Sequence, residues 1–159
     1  MKRKTQMFII LAIILISASG YYLGKSVSSN EFATYEIKGE SLVIEKSSIT
    51  STASFIPYKI ADYYMEIIAI KAEDGTIRTA LNTCQVCYDS GRGHYDQVGD
   101  KLICNNCRNV FSISDIEVVR GGCNPIPITN IDKEDDGQSI TISGDFLKEN
   151  NFYFARWIK

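Results

Sequence analysis

The chain has 159 residues, room for one domain and an appendage, and its 23% charged and 45% hydrophobic content argues against both a long disordered tail and a polytopic membrane protein. The formal charge is −2, but Lys2, Arg3 and Lys4 sit together at the start, and the remaining 14 Lys and Arg against 19 Asp and Glu leave a body of −5. An acidic body is a poor partner for phosphate, so nucleic acid is excluded as a partner, while five cysteines and a single histidine direct attention to metal or redox chemistry.

Thr5 to Gly24 is a stretch of 20 uncharged residues that opens with the apolar run Met7 to Ile16. As a helix it spans about 30 Å, the thickness of a hydrocarbon core. Three cations precede it and Lys25 follows, which favours an N-terminus in the cytoplasm and an exported body. Residues 1–24 are therefore expected to form a single-pass membrane anchor. The alternative is a signal segment cleaved near Ala18, Ser19 and Gly20, which would release a secreted protein. Either way the body is expected to be extracytoplasmic. Residues 25–33, KSVSSNEFA, are small and polar and read as a linker to a domain over 34–159.

Beyond the linker the pattern is strand-like. Ser41 to Ile49 and Tyr63 to Ala72 are rich in Ile, Val and Tyr. Met65, Ile67 and Ala69 alternate with Glu66, Ile68 and Ile70, which predicts a strand buried on both faces. Asp74-Gly75 predicts a tight hairpin into Thr76 to Leu81. Further strands are expected at Lys101 to Ile103, Asn109 to Ile113, Glu117 to Val119, Ser139 to Ser143 and Asn151 to Ala155, with Asp132 to Asp136 as a solvated loop and no amphipathic helix in the body. The fold class expected is all-β, a small sandwich or barrel carrying two metal-binding hairpin knuckles.

Those knuckles are the strongest chemical signal. Cys84 and Cys87 are followed, after 16 residues, by Cys104 and Cys107. Two residues between cysteines let both thiolates face one ion, and the spacer is long enough to run out and back as a hairpin, which brings the pairs together. Four convergent thiolates hold either a structural zinc or an iron-sulfur cluster, so the spacing identifies a metal site without choosing the metal. Two disulfides are the alternative for an exported chain. Neither pair is followed by His, so covalent haem is not indicated.

Cys123 lies in RGGCNPIPI, between Gly121-Gly122 and Pro125 with Pro127, on a loop shaped by its neighbours. It is expected to face the four-cysteine centre as an added ligand or a covering thiol. His94, inside the spacer, is expected to be a solvent-facing side chain rather than a ligand. Tyr88, Tyr95 and Phe111 flank the knuckles and are expected to pack there and keep water away.

With these motifs in place, the stretch from Phe55 to Phe154, with ALNTCQVCY, ICNNC and GGCNP, closely resembles the FtrD-like family of membrane iron-sulfur-containing proteins. The resemblance implies that Cys84, Cys87, Cys104 and Cys107 occupy cluster-binding positions. Two residues depart from the expected pattern: Arg108 stands where a Gly is expected after the second knuckle, and His94 where an aromatic is expected. A weaker likeness is to Rieske-type domains, with Cys87 and Cys107 standing where those have His.

The function expected is that of a membrane-tethered, extracytoplasmic iron-sulfur protein acting in electron transfer or in iron handling and transport, a carrier more than a catalyst. Its expected partners are the membrane, through the N-terminal segment, and membrane redox or metal-transport proteins. A structural zinc domain serving as an interaction module and a thiol-disulfide oxidoreductase are the alternatives. The chain offers no nucleophile-base pair or phosphate loop to support a committed enzymatic reading.

Overall fold

The computed structural model describes residues 33–159. The expected membrane segment and all but the last residue of the expected linker lie outside the described residues. The body is mostly β, with eleven strands in three antiparallel sheets, none closed into a barrel.

The first sheet has the order β1-β2-β11-β10, formed by Tyr35–Lys38, Ser41–Glu45, Ser139–Ile142 and Lys133–Asp135. The second has the order β3-β4-β5-β9, formed by Ser54–Ile60, Tyr63–Lys71, Ile77–Cys84 and Pro125–Pro127. The third, β6-β7-β8, comprises Tyr95–Val98, Lys101–Cys104 and Val110–Ser112.

The second sheet is the middle layer. One core packs Met65, Ile67, Ala69 and Leu81 from it against Leu42, Ile44, Ile140 and Ile142 of the first sheet. A separate core packs Ile68, Ile70, Ala80 and Cys84 from its other face against Tyr95, Leu102, Cys104 and Phe111 of the third. Strand β4 feeds both cores with alternate residues, so its near-continuous apolar run is the two-faced burial that the sequence predicts. Each fully buried Ile or Leu contributes roughly 1.5 to 3 kcal/mol by leaving water. These two cores are what fix the cysteine-bearing strands relative to each other.

The β4–β5 connection turns at Glu73, Asp74 and Gly75. Gly75 has φ +82 and its N–H bonds to Ala72 O at 2.9 Å, a hairpin closed at the expected Asp-Gly pair. Asp74 accepts from the Thr76 N–H and hydroxyl and from Arg78, which pins the exit.

Four expectations are corrected. Glu117 to Val119 is not a strand: Glu117 takes φ +68, and its carboxylate accepts from Thr79 N at 2.6 Å, Thr79 Oγ1 at 3.0 Å and Lys133 Nζ at 2.5 Å. A side chain there satisfies the strand edge of β5 in place of a backbone partner. Asp132 to Asp136 is not a solvated loop, because its middle is β10, paired with β11, and Lys133 is only 9% exposed beside Glu117. Asn151 to Ala155 is a 3-10 turn, Asn151–Phe154, rather than a strand. Its aromatics favour strands locally, but three residues per turn bury Phe154 in the core and stack Phe152 against Tyr153. The body also contains a short helix, α1, Gly144–Glu149, begun by Ser143, whose hydroxyl accepts from Phe146 N at 3.5 Å. Six residues are too few to show a helical period in sequence.

The Glu117–Lys133 pair ties the loop before Cys123 to the middle sheet. Lys133→Met leaves a half-buried carboxylate without its cation and is expected to cost about 3 kcal/mol in urea denaturation, with Glu117→Gln in the same chain recovering part of the loss.

Candidate metal centre

The first knuckle is built where β5 ends. Pairing with β9 runs Ala80 to Pro127 and Leu81 to Ile126, then slips so that Cys84 faces Pro125. The bulge frees Asn82, whose side chain accepts the Tyr95 N–H at 2.7 Å and donates to Glu66 at 2.6 Å. Prolines 125 and 127 are tolerated because β9 is the sheet edge. Cys84 N–H then bonds to Gly93 O at 2.8 Å, and Cys87 N–H points at Cys84 Sγ at 3.4 Å. A side chain on Gly93 would put its Cβ 3.0 Å from the Cys87 carbonyl carbon, so this glycine permits the close approach of spacer and knuckle.

The spacer is the expected hairpin. Tyr95 pairs with Cys104 and Val98 with Lys101 around Gly99-Asp100, with Gly99 at φ +60. The second knuckle follows β7: Cys104 N–H bonds to Asn109 O at 3.0 Å and Arg108 N–H to Cys104 O at 2.9 Å. Arg108 sits at φ +62, the left-handed conformation that a glycine adopts without cost. The departure noted in sequence therefore falls on a residue whose backbone has a glycine's geometry. Asn105 N–H to His94 O at 2.8 Å ties this knuckle back to the spacer.

All five cysteines are free thiols, and they converge. The sulfurs of Cys84, Cys87 and Cys104 lie within 4.8 Å of one another, as do those of Cys87, Cys107 and Cys123. The two sets share Cys87. The first is buried, with Cys84 and Cys104 at 0% and Cys87 at 7% exposure, whereas Cys107 is exposed and Cys123 half-buried. The centre thus has an inner side in the core and an outer side at the surface. Gly121 and Gly122, at φ +86 and +76, turn the chain into Cys123, and its carbonyl accepts from Tyr95 Oη at 2.8 Å and Asn109 Nδ2 at 3.0 Å.

Electrostatics set Cys107 apart from the other thiols that shift. Burial pushes the Cys104 thiol up to about 12 and raises Cys87. Cys107 is lowered, chiefly because the Asn109 backbone N–H donates to its sulfur. A hydrogen bond to Cys107, and then burial, push Cys123 up to about 12. Burial also raises Tyr95 well above the ordinary phenol range.

The flanking residues divide as well. Tyr95 and Phe111 are buried in the core that holds Cys84, Cys87 and Cys104, as expected. Tyr88 packs edge-on against Phe152 and Tyr153. His94 is not solvent-facing: it is half-buried, its ring meets Trp157 at 6.0 Å, burial lowers its pKa, and Nδ1 has no hydrogen-bond partner. It belongs to neither sulfur set. Asn82, Asn106 and Asn109 escape sequence reasoning. Asn82 stands inside ALNTCQVCY, before the first knuckle, with no spacing or period that assigns it a role, whereas Asn106, whose amide favours the Cys87 thiolate, and Asn109 lie within and just after CNNC.

The donor set fits a thiophilic metal group, since soft, closely spaced thiols with no competing carboxylate select zinc or iron-sulfur centres. Asn124 Nδ2 and Thr83 Oγ1, each one residue from a cysteine in the chain, are buried without partners. The family model for the membrane iron-sulfur containing protein FtrD-like matches residues 49–154, and the chain belongs to this family. No curated protein and no solved structure matches the chain. Among the described residues no helix is long and apolar enough to cross a membrane.

Two outcomes follow from this geometry. Because Cys104 ionises near 9.0 when unperturbed and near 12 in the fold, the neutral thiol is favoured fully below pH 9 and that advantage is lost as pH rises to 12. Thermal melts of the metal-free chain are expected to fall across this window, and the fall is expected to shrink in Cys104→Ala. Arg108→Gly relieves the left-handed backbone and is expected to leave stability unchanged or raise it by up to about 1 kcal/mol, while Arg108→Val lowers it by about 1 to 2 kcal/mol.

Proposed function

We propose that this member of the FtrD-like family carries an iron-sulfur cluster on Cys84, Cys87, Cys104 and Cys107, with Cys123 beside it as a further ligand or covering thiol. The observation that carries the reading is the pair of sulfur sets sharing Cys87. One tetrahedral zinc with bonds of about 2.3 Å needs four sulfurs all about 3.8 Å apart. Here the sulfurs form two sets, Cys84 with Cys87 and Cys104, and Cys87 with Cys107 and Cys123, and five thiols joined through Cys87 give a centre with room for more than one metal atom.

Such a cluster supplies one-electron chemistry when bound. The residues of this chain then have defined tasks. Cys84, Cys87 and Cys104 hold the group inside the core, where Tyr95, Leu102 and Phe111 exclude water. The Asn109 N–H and the Cys87 N–H donate to sulfur and stabilise negative charge on Cys107 and Cys84. Exposed Cys107 and half-buried Cys123 give the centre a side open to a partner. An inner attachment with an outer edge is what an electron carrier requires, and electron transfer or iron handling beside a membrane redox or metal-transport protein is the role that fits. Residues 1–24 would tether the body to the extracytoplasmic face of the cell membrane through one span.

Full-length protein purified in detergent without oxygen is expected to be coloured, with iron and acid-labile sulfide in comparable amounts and an EPR signal on reduction. An all-thiolate set carries more negative charge than a His-containing one, so its potential is expected below about −150 mV, the lower end of the Rieske range. Cys84→Ser and Cys104→Ser are expected to lose iron and to melt at lower temperature, since site formation is linked to folding. A colourless protein holding one zinc per chain overturns this reading in favour of a structural zinc domain.

A further inference from the structure

Cys107 and Cys123 differ from the other three cysteines in one respect that bears on reactivity. They are the two that solvent reaches, and their sulfurs lie within 4.8 Å of each other. Cys87 completes the same set but is 7% exposed, and Cys84 and Cys104 are fully buried. A soluble oxidant therefore meets Cys107 first, and the nearest accessible thiol to resolve the product is Cys123. The two cysteines come from different loops, and the one that carries Cys123 is entered through Gly121 and Gly122, both at positive φ. Side chains are absent at two successive positions there and nothing lies within 4 Å of where their Cβ atoms would be, so the loop has room to shift toward a covalent bond.

We propose that Cys107 and Cys123 form a reversible disulfide in the metal-free protein, and that this bond gates loading of the centre by removing Cys107 from the ligand set. The gating half rests on the metal-binding reading above, whereas formation of the bond does not. The oxidant is a low-molecular-weight or protein disulfide. Cys107 sulfur attacks one sulfur of that disulfide and releases the first thiol, leaving a mixed disulfide on Cys107. Cys123 sulfur then attacks the Cys107 sulfur and releases the second thiol. The protein dithiol loses two electrons and two protons, and the oxidant disulfide becomes two thiols. A dithiol reductant reverses the exchange and restores both thiols. Once formed, the link leaves Cys84, Cys87 and Cys104 inside the core as thiols, too few for a four-thiolate site.

The test uses the full-length chain, freed of metal in detergent and treated with oxidised glutathione. Free thiols are alkylated after unfolding and the peptides weighed. The expected result is one internal bond, Cys107 to Cys123, with Cys84, Cys87 and Cys104 alkylated. In Cys123→Ser, whose fold is checked by circular dichroism, glutathione is expected to remain on Cys107. A bond within either knuckle, a scrambled mixture, or an internal bond at Cys107 in the Cys123→Ser chain overturns the proposal.

Gating is then read by titrating oxidised and reduced chains with cobalt(II), whose thiolate absorption reports binding. At least tenfold weaker uptake by the oxidised chain, restored by reductant, is expected, and equal uptake overturns the gate. If the native metal proves to be a single zinc, the cluster reading fails while the disulfide result stands by itself, so the two outcomes are separable.

Discussion

Asn82 accepts the Tyr95 N–H at 2.7 Å while its amide donates to Glu66 at 2.6 Å, and at this point the middle sheet is joined to the small one. The same slip in β5 pairing that frees Asn82 also sets Cys84 opposite Pro125. One local irregularity thus fixes three things: the start of the spacer hairpin, the direction of the first knuckle and the position from which the Cys123 loop departs. Asn82 is fully buried, so replacing it would leave a donor and an acceptor without partners in a region that water does not reach.

The sulfur centre inherits its inner and outer sides from this arrangement. Cys84 and Cys104 end strands whose side chains enter the second core, and the Cys104 thiol resists ionisation because burial disfavours charge. Cys107 lies past the end of β7, on a knuckle that projects to solvent, where the Asn109 N–H stabilises its thiolate. A metal that binds here replaces the protons on the buried thiols, so affinity and pH are linked, and the accessible cysteine is the one most easily ionised. Accessibility and thiolate character at one residue also make the outer side the place where thiol chemistry competes with metal binding.

Around the centre, the C-terminal segment packs back over the spacer. Trp157 Nε1 donates to Asn82 O at 3.2 Å, Lys159 reaches Glu66 at 2.5 Å, and Ile158 N–H bonds to Gly91 O at 2.7 Å. A Cβ on Gly91 would overlap the Arg156 carbonyl, so this contact also depends on a glycine. His94 is enclosed by the same segment, which explains why it is not at the surface.

The sequence alone determined what depends on short-range spacing and side-chain chemistry: the alternation in Tyr63 to Ala72 that buries β4 on both faces, the Asp-Gly hairpin, the two CxxC pairs with a hairpin-length spacer, and the diglycine before Cys123. Each is a local property, because a strand's faces alternate with every residue and two residues between thiols set their reach. The Asn109 contact to Cys123 and the Glu117–Lys133 pair were not legible, since each joins residues at least 14 positions apart with no periodic signal. The aromatic run at Asn151–Phe154 read as a strand because local propensity favours one, but packing of Phe154 into the core selected a 3-10 turn. Three layers instead of a simple sandwich or barrel, the bulge at Asn82 and the sharing of Cys87 between two sulfur sets were decided by the tertiary structure. They depend on which faces of three sheets meet, and a linear pattern of buried residues is the same whichever sheet covers it.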